Sequence, residues 1–239
     1  HPPAFLMASF SWIFFDLFDT LCTVDEAAYY GGKRAAAEAA GVDPEAFLGA
    51  WKSTSAEASN GRIKTPFDRA AKALAMLGVF DRAAVGEVAR RDVETILASV
   101  VYYEGAAECL AALRSRGFRL GLISNATATT AFVVGPLKLR EYLDPLVFSY
   151  EAGVTKPDPT IFQKALERSG AAAARSLFVG DGANHELDAA RALGFSTLCM
   201  DHPRKALSFR DPDGLSGSDH PRVTSFADLL SWIGDALPA

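Results

Sequence analysis

Residues 11–21 read S-W-I-F-F-D-L-F-D-T-L, an apolar run that stops at the carboxylate of Asp16. The aromatic and β-branched side chains before Asp16 indicate a buried strand in the middle of a parallel sheet. In open α/β sheets, ligands bind just beyond the carboxyl ends of the strands. Because a carboxylate is costly to desolvate there, Asp16 either belongs to a site or turns the chain after a core strand. This stretch alone leaves both interpretations open.

The composition limits the class of protein. The 239 residues are 49% hydrophobic and 22% charged, which is typical of a globular protein with a sizeable core. A net charge of −5 without a basic run argues against a nucleic-acid partner. The apolar stretch at residues 4–15 is too short to cross a membrane. Three widely spaced cysteines match no zinc or disulfide pattern, so we expect a reducing, cytoplasmic setting.

The order of periodic segments predicts two domains. Apolar side chains at helical spacing predict four amphipathic helices between residues 24 and 100, which form a small inserted bundle. Strands then alternate with helices as far as residue 200, which predicts a doubly wound, Rossmann-like parallel sheet. We therefore expect an α/β core domain formed by residues 1–23 and 101–239, and a helical domain formed by residues 24–100.

Polar side chains follow three of the predicted strands or precede a helix in the core domain. Since parallel strands end at one edge of the sheet, these side chains are expected to share a site. A carboxylate can act as a nucleophile, and phosphoryl transfer needs cations and donors around the transferred oxygens. Mg²⁺ prefers carboxylate and carbonyl oxygens. The candidate residues are Asp16 with Asp19 and Thr20, Ser124 with Asn125, Lys156, and Asp181.

The order of these motifs resembles the haloacid dehalogenase (HAD) superfamily of hydrolases. The chain carries D-x-x-x-T at 16–20, Ser-Asn at 124–125, Lys-Pro-Asp-Pro at 156–159 and V-G-D-G-A-N-H-E-L-D-A-A at 179–190. Each motif is short, but the four in this order are specific together. The helical insertion directly after the first motif is similar to that superfamily's cap of the first type.

The resemblance implies a phosphatase that acts on a small phosphorylated metabolite. Asp16 would be the nucleophile that forms an aspartyl-phosphate, and Thr20 would orient its loop. Ser124 and Asn125 would bind the phosphoryl group. Lys156 would stabilise both Asp16 and the anionic substrate. The expected protein is a monomer or a homodimer, with a small molecule as its partner.

The same resemblance implies a Mg²⁺ site. Its ligands would be Asp16, Asp181 and the backbone carbonyl of Phe18, which also lies beside the substrate. In many members of the superfamily a second acid follows five residues after the aspartate of the fourth motif, here Asp181, and Glu186 takes that position. Asp188 is the alternative.

Phe18 is where the chain departs from the phosphatases of the superfamily. Those enzymes usually carry a second aspartate there, which protonates the leaving group and then activates water. Phenylalanine cannot transfer a proton. Haloacid dehalogenases of the superfamily carry an aromatic residue there and need no metal, but they lack the Gly-Asp-Gly sequence. A dehalogenase that works through an aspartyl ester, and a catalytically weak relative, therefore remain alternatives.

Other polar residues are weaker candidates for the site. Asp19 is the nearest replacement for the missing acid, although it also suits a turn. Tyr29 and Tyr30 are candidates for lining the cleft. Four cap cations are further candidates for contacting the substrate, although cap charges usually face solvent; they are Lys33, Arg34, Arg62 and Lys64.

Overall fold

A parallel sheet forms the centre of the computed structural model, which describes residues 10–203, 205, 214–217 and 219–234. Its six strands run in the order β5-β4-β1-β6-β7-β8, and β2 and β3 pair separately as an antiparallel ribbon. The strands are β1 (Trp12–Phe15), β2 (Cys22–Val24), β3 (Val100–Tyr102), β4 (Arg119–Ser124), β5 (Leu146–Phe148), β6 (Ser176–Gly180), β7 (Ser196–Met200) and β8 (Arg222–Val223).

Eleven helices are found among the described residues, and short 3₁₀ turns lie at Thr130–Val134, Ala173–Arg175 and Ala183–His185. The helices are α1 (Glu26–Ala39), α2 (Pro44–Ser53), α3 (Ser55–Ser59), α4 (Pro66–Ala75), α5 (Arg82–Ser99), α6 (Ala106–Ser115), α7 (Leu139–Tyr142), α8 (Ser149–Ala152), α9 (Pro159–Ser169), α10 (Glu186–Ala192) and α11 (Phe226–Ile233).

Strand β1 is the central strand that the opening motif predicts. It pairs in parallel with β4 on one side and β6 on the other, and its four side chains are all buried. Ile13 and Phe15 pack into one hydrophobic cluster, whereas Trp12 and Phe14 pack into the cluster on the opposite face. Successive side chains of a strand point to opposite faces, so one short strand anchors both layers. The doubly wound α/β prediction is confirmed.

The inserted helices α1 to α5 have a hydrophobic cluster of their own, which includes Phe47, Trp51, Leu74 and Val88. They follow β2 and precede β3, so the antiparallel ribbon connects them to the sheet. Side-chain caps fix four of the helix starts, because Asp25, Asp43, Thr65 and Asp81 each accept a hydrogen bond from a backbone N–H in the first turn. We call this unit the cap; its exact division from the core stays a prediction.

Several local expectations differ from the structure. The polar stretch at 53–64, which contains Asn60-Gly61 and so predicts a loop, includes the short helix α3. The segment at 127–143 is predicted to be mostly helical with a break at Gly135-Pro136; the break is present, but the part before it is a 3₁₀ turn and only α7 is α-helical. Strands β2, β3 and β8 are two or three residues long, too short for a period-two pattern to mark. Residues 202–222 are rich in Pro, Gly, Asp and Ser, which predicts a loop, and part of this stretch lies outside the described residues. Residues 1–9 and 235–239 of the predicted core domain also lie outside them.

No described helix has both the length and the hydropathy of a membrane span. The longest, α5, has 18 residues and carries six charged side chains.

The packing between β1 and β4 makes a prediction about stability. A Cβ at Gly121 would lie 2.7 Å from the ring of Phe14, whereas a Cβ at Gly86 in α5 would meet no atom within 4 Å. We expect Gly121→Ala to lower the free energy of unfolding by about 1–3 kcal/mol. Gly86→Ala serves as the matched control and should raise it by about 0.5–1 kcal/mol, since alanine favours the helix. Urea denaturation measures both; a neutral Gly121→Ala would contradict this packing.

Candidate active site

The loop after β1 holds Asp16 at the edge of the sheet. The Asp16 N–H donates to the Val179 carbonyl at 2.9 Å, which continues the β1–β6 pairing by one residue. Thr20 Oγ1 donates to Asp16 Oδ2 at 3.4 Å, and the buried His202 ring contacts the Thr20 carbonyl through Nε2 at 3.0 Å. The loop is therefore held from both ends, and Thr20 lies where it can orient Asp16.

Lys156 connects two carboxylates of the site. Its Nζ lies 2.5 Å from Asp16 Oδ1 and 2.5 Å from Glu186 Oε2, and the lysine is 3% exposed. Burial by itself would lower the pKa of Lys156, but the two carboxylates outweigh that effect and hold its pKa above the ordinary value. The ammonium therefore stays charged and fixes the orientation of Asp16.

Three buried carboxylates meet around this one ammonium. Asp16, Asp181 and Glu186 each offer an oxygen, and these oxygens lie within 4.8 Å of one another. Burial raises the pKa of Asp16, and the neighbouring Asp181 raises it further against the effect of Lys156. Burial, together with Asp16 and Asp181, likewise raises the pKa of Glu186 to about 8. The cluster thus holds more negative charge than one lysine balances, and its oxygen donors fit a hard divalent cation such as Mg²⁺.

The loop and turn after β6 also depend on this cluster. The Gly182 N–H donates to Glu186 Oε1 at 3.2 Å, and the Ala183 N–H donates to Asp181 Oδ1 at 3.1 Å. A Cβ at Gly180 would collide with the Glu186 carboxylate, so glycine is required where β6 ends. In the Gly-Asp-Gly sequence, Gly180 therefore has a steric role, whereas Asp181 contributes a carboxylate to the cluster.

The side chain of Asn125 contacts the backbone of Lys156. Asn125 Oδ1 accepts from the Lys156 N–H at 2.7 Å, and Asn125 Nδ2 donates to the Lys156 carbonyl at 3.2 Å. This two-point contact fixes the lysine-bearing loop. Ser124 is fully buried, with its Oγ 3.4 Å from the Asn125 carbonyl, and it does not line the cavity beside Asp16. Its role as a phosphoryl ligand stays a prediction.

Asp188 and Asp19 have other partners. Asp188 lies in a separate network, 2.9 Å from His220 Nε2 and 3.3 Å from Arg191 Nη2, so Glu186 is the acid that joins the cluster. Asp19 has a φ of 55°, and its Oδ1 accepts from Thr23 Oγ1 at 2.9 Å and from Tyr103 at 3.0 Å. Asp19 reaches the edge of the cavity but is engaged in holding the turn.

A cavity of about 850 Å³ lies between the cap and the carboxylate cluster. Tyr29 and Tyr30 line it, as does Phe18. Of the four cap cations, none lines it: Arg34 pairs with Glu45 at 2.8 Å on the surface, Lys33 is buried against Asp92, and Arg62 and Lys64 are exposed.

Further cap residues line the cavity that sequence patterns did not single out, among them Trp51, Arg69 and Asp92. Arg69 and Asp92 lie within amphipathic helices, where a charged residue ordinarily faces solvent. The remaining signal was the position of each on its helix. Arg69 is four residues before Ala73, and Asp92 is four residues before Ile96, so each shares a helix face with a buried apolar residue.

Comparison with known proteins supports, along most of the chain, the family resemblance that the sequence motifs indicate. The family model for haloacid dehalogenase-like hydrolases matches residues 10–194. The haloacid dehalogenase-like hydrolase domain-containing protein 3 of Homo sapiens is 36% identical over 101 residues, which cover 42% of this chain and 40% of that protein. A phosphoglycolate phosphatase of Nitrosospira multiformis is 35% identical over 108 residues, covering 45% and 47%. These matches span less than half the length of either relative.

Solved structures share the fold. A HAD family enzyme from Bacteroides thetaiotaomicron, in complex with magnesium and inorganic phosphate, superposes with a TM-score of 0.62 at 19% identity. That match covers 84% of this chain and all of the other. The L-2-haloacid dehalogenase of Xanthobacter autotrophicus superposes with a TM-score of 0.62 at 20% identity and covers 92% of this chain and 96% of its own.

The excess negative charge of the Asp16, Asp181 and Glu186 cluster predicts that the stability of the folded protein depends on pH. The pKa of Glu186 rises on folding from 4.5 to about 8, so the folded state binds more protons than the unfolded state between these values. Stability of the metal-free protein should therefore fall as the pH rises through this window. Glu186→Gln should flatten that fall, and added Mg²⁺ should raise the wild-type Tm most at the alkaline end. Tm measured with a chelator and with Mg²⁺ across the window checks both expectations.

The matched control is Glu108→Gln, which alters an exposed glutamate of α6 outside the cavity. This variant should keep the wild-type pH dependence. Parallel Tm curves for the wild type and Glu186→Gln would show that Glu186 carries no excess charge in the folded state.

Proposed function

The chain belongs to the haloacid dehalogenase-like hydrolase family, and from this premise we propose that it is a Mg²⁺-dependent phosphatase of a small phosphorylated metabolite. The observation that carries the proposal is the buried cluster of Asp16, Asp181 and Glu186 around Lys156. The phosphatase name of the Nitrosospira relative supports it. The three cysteines are buried and unpaired, which supports a reducing, cytoplasmic setting.

In the proposed reaction, a carboxylate oxygen of Asp16 attacks the phosphorus in line with the ester oxygen. The P–O bond to the alcohol breaks, the alcohol oxygen takes the electron pair, and an aspartyl-phosphate forms. Water then attacks the phosphorus, which releases phosphate and restores the Asp16 carboxylate. Lys156 holds Asp16 in place and offsets negative charge on the phosphoryl oxygens.

The metal would be held by Asp16, Asp181, Glu186 and the backbone carbonyl of Phe18. When bound, Mg²⁺ supplies positive charge that neutralises the transferred phosphoryl group. Asn125 would act by fixing the Lys156 backbone, and Thr20 by orienting Asp16. Ser124 stays in the proposal as a phosphoryl ligand that must turn toward the cavity.

The side chains near Asp16 do not replace the missing acid directly. Phe18 has no proton to give, and Asp19 is held by Thr23 and Tyr103. Asp92, on the cap side of the cavity, accepts from Lys33 and Thr129. We therefore propose that water protonates the leaving alcohol, so substrates with weakly basic leaving groups should react fastest.

Phe18 favours a second candidate function, a dehalogenase that forms an aspartyl ester on Asp16. Release of halide requires no proton, which suits an aromatic side chain at this position. The three-carboxylate cluster weighs against this candidate, because metal-free displacement of halide has no use for Asp181 and Glu186 beside the nucleophile.

We predict that Asp16→Asn lowers phosphate release by about four orders of magnitude or more, because it removes the nucleophile. Asp19→Asn should keep at least about a tenth of the wild-type rate, a loss of no more than about 1.4 kcal/mol in the barrier. Phosphate release from a panel of phosphomonoesters with saturating Mg²⁺ measures both. Equal losses in the two variants would assign the proton transfer to Asp19.

The two candidate functions separate in one further pair of assays. The phosphatase predicts phosphate release that stops with a chelator and returns with Mg²⁺. The dehalogenase predicts halide release from 2-haloacids that is insensitive to the chelator. Halide release without phosphate release would overturn the first proposal.

A further inference from the structure

The cap supplies a buried cation to the cavity that the proposed reaction does not use. We propose that Arg69 binds a second oxyanion of the substrate, at the end remote from the scissile phosphate. The preferred substrates are then phosphomonoesters that also carry a carboxylate or a second phosphate group. This inference rests on the proposed function for its reaction, but the binding step it describes can be measured separately.

The guanidinium of Arg69 is fixed by neutral groups of the cap. Its Nε donates to Thr54 Oγ1 at 3.0 Å, and its Nη2 donates to Ser55 Oγ at 3.1 Å and to the Trp51 carbonyl at 3.4 Å. Its Cζ lies 4.4 Å from the centroid of the Trp51 ring. The plane of the guanidinium is therefore set before a ligand arrives, and little side-chain entropy is left to lose on binding.

The charge of Arg69 has no anionic partner in the described part of the chain. The residue is only 7% exposed, yet no described carboxylate lies within 4.0 Å of it. Asp92 acts on Arg69 from further away, but Lys33 and Thr129 Oγ1 already donate to that carboxylate. Two buried cations thus face one buried carboxylate. A buried positive charge without a partner is costly, and an anion from the substrate would offset that cost.

Arg69 also keeps donors for a ligand. A guanidinium has five N–H donors, and Nη1, which carries two of them, donates to none of the described residues. Arg69 lines the same cavity as Asp16 and Lys156. At about 850 Å³ this cavity holds a whole small molecule rather than a phosphate alone. A substrate with its phosphate at Asp16 can therefore place its other end against the cap.

Three matched series of substrates test the inference. In the first, the phosphate ester and a terminal carboxylate are separated by alkyl chains of increasing length. In the second, a terminal alcohol replaces the carboxylate, and alkyl bisphosphates form a third arm. We expect the acid to exceed its matched alcohol in kcat/KM by at least about tenfold at one preferred length. A larger gain for the bisphosphates identifies phosphate as the second oxyanion, and a larger gain for the acids identifies carboxylate.

Variants at Arg69 link the preference to this residue. Arg69→Met should bring the ratio of kcat/KM for the acid to kcat/KM for its matched alcohol close to one, mainly by raising the KM of the acid. Arg69→Lys should recover part of the ratio, because it keeps the charge. The control is Arg82→Met, which alters an exposed cap arginine outside the cavity and should keep the wild-type ratio. Circular dichroism and Tm confirm that each variant is folded.

Binding of non-hydrolysable phosphonates separates this inference from the proposed reaction. Titration calorimetry of carboxyalkyl and hydroxyalkyl phosphonates should show the same preference for the acid in the wild type and its loss in Arg69→Met. Such a preference without any phosphate release would refute the phosphatase and keep the oxyanion site. Equal affinities for acid and alcohol, or equal losses for both in Arg69→Met, would overturn the role of Arg69.

Discussion

The ion pairs of Lys156 are the interaction on which the rest of the site depends. One ammonium, 3% exposed, lies 2.5 Å from Asp16 and 2.5 Å from Glu186, and Asp181 is the third carboxylate of the same cluster. Removing either kind of charge from such a buried arrangement leaves the other uncompensated, which is strongly destabilising. The strand order of the sheet brings these opposite charges together. Strands β1 and β6 are neighbours in register, so the acids that follow them meet at one edge.

The cap completes the site from the opposite side. The hydrogen bonds that cross from core to cap include one from Thr129 Oγ1 to Asp92 at 2.5 Å and one from Ser149 Oγ to the Ser59 carbonyl at 2.7 Å. The first of them also holds the carboxylate that Lys33 pairs with. The negative cluster on the core and the excess positive charge on the cap therefore face each other across one cavity. A substrate with a phosphate at one end suits the core once a metal is bound, and an anionic far end suits the cap.

The sequence predicts the core of this arrangement because its signals are local. A run of buried aromatic residues ending in Asp16, and glycines flanking Asp181, each leave a short pattern within one strand and its loop. Glu186, the first residue of α10, is expected only from the resemblance to the HAD superfamily. The short strands β2 and β3 leave no pattern, because three residues are too few for alternation to be visible. Arg69 could not be selected from sequence, since its importance comes from burial and from the lack of a nearby carboxylate, which are properties of the packed cap.

The central claim is that Asp16 carries the phosphoryl group during turnover. The most direct measurement is an acid-quenched single turnover with Mg²⁺, followed by borohydride reduction and mass spectrometry of the peptide that contains residues 11–21. Reduction converts an aspartyl-phosphate to homoserine, so the account predicts homoserine at position 16 in the wild type and none when the substrate is omitted. Phosphate release with Asp16 unmodified throughout the turnover, or modification at another residue, would contradict it.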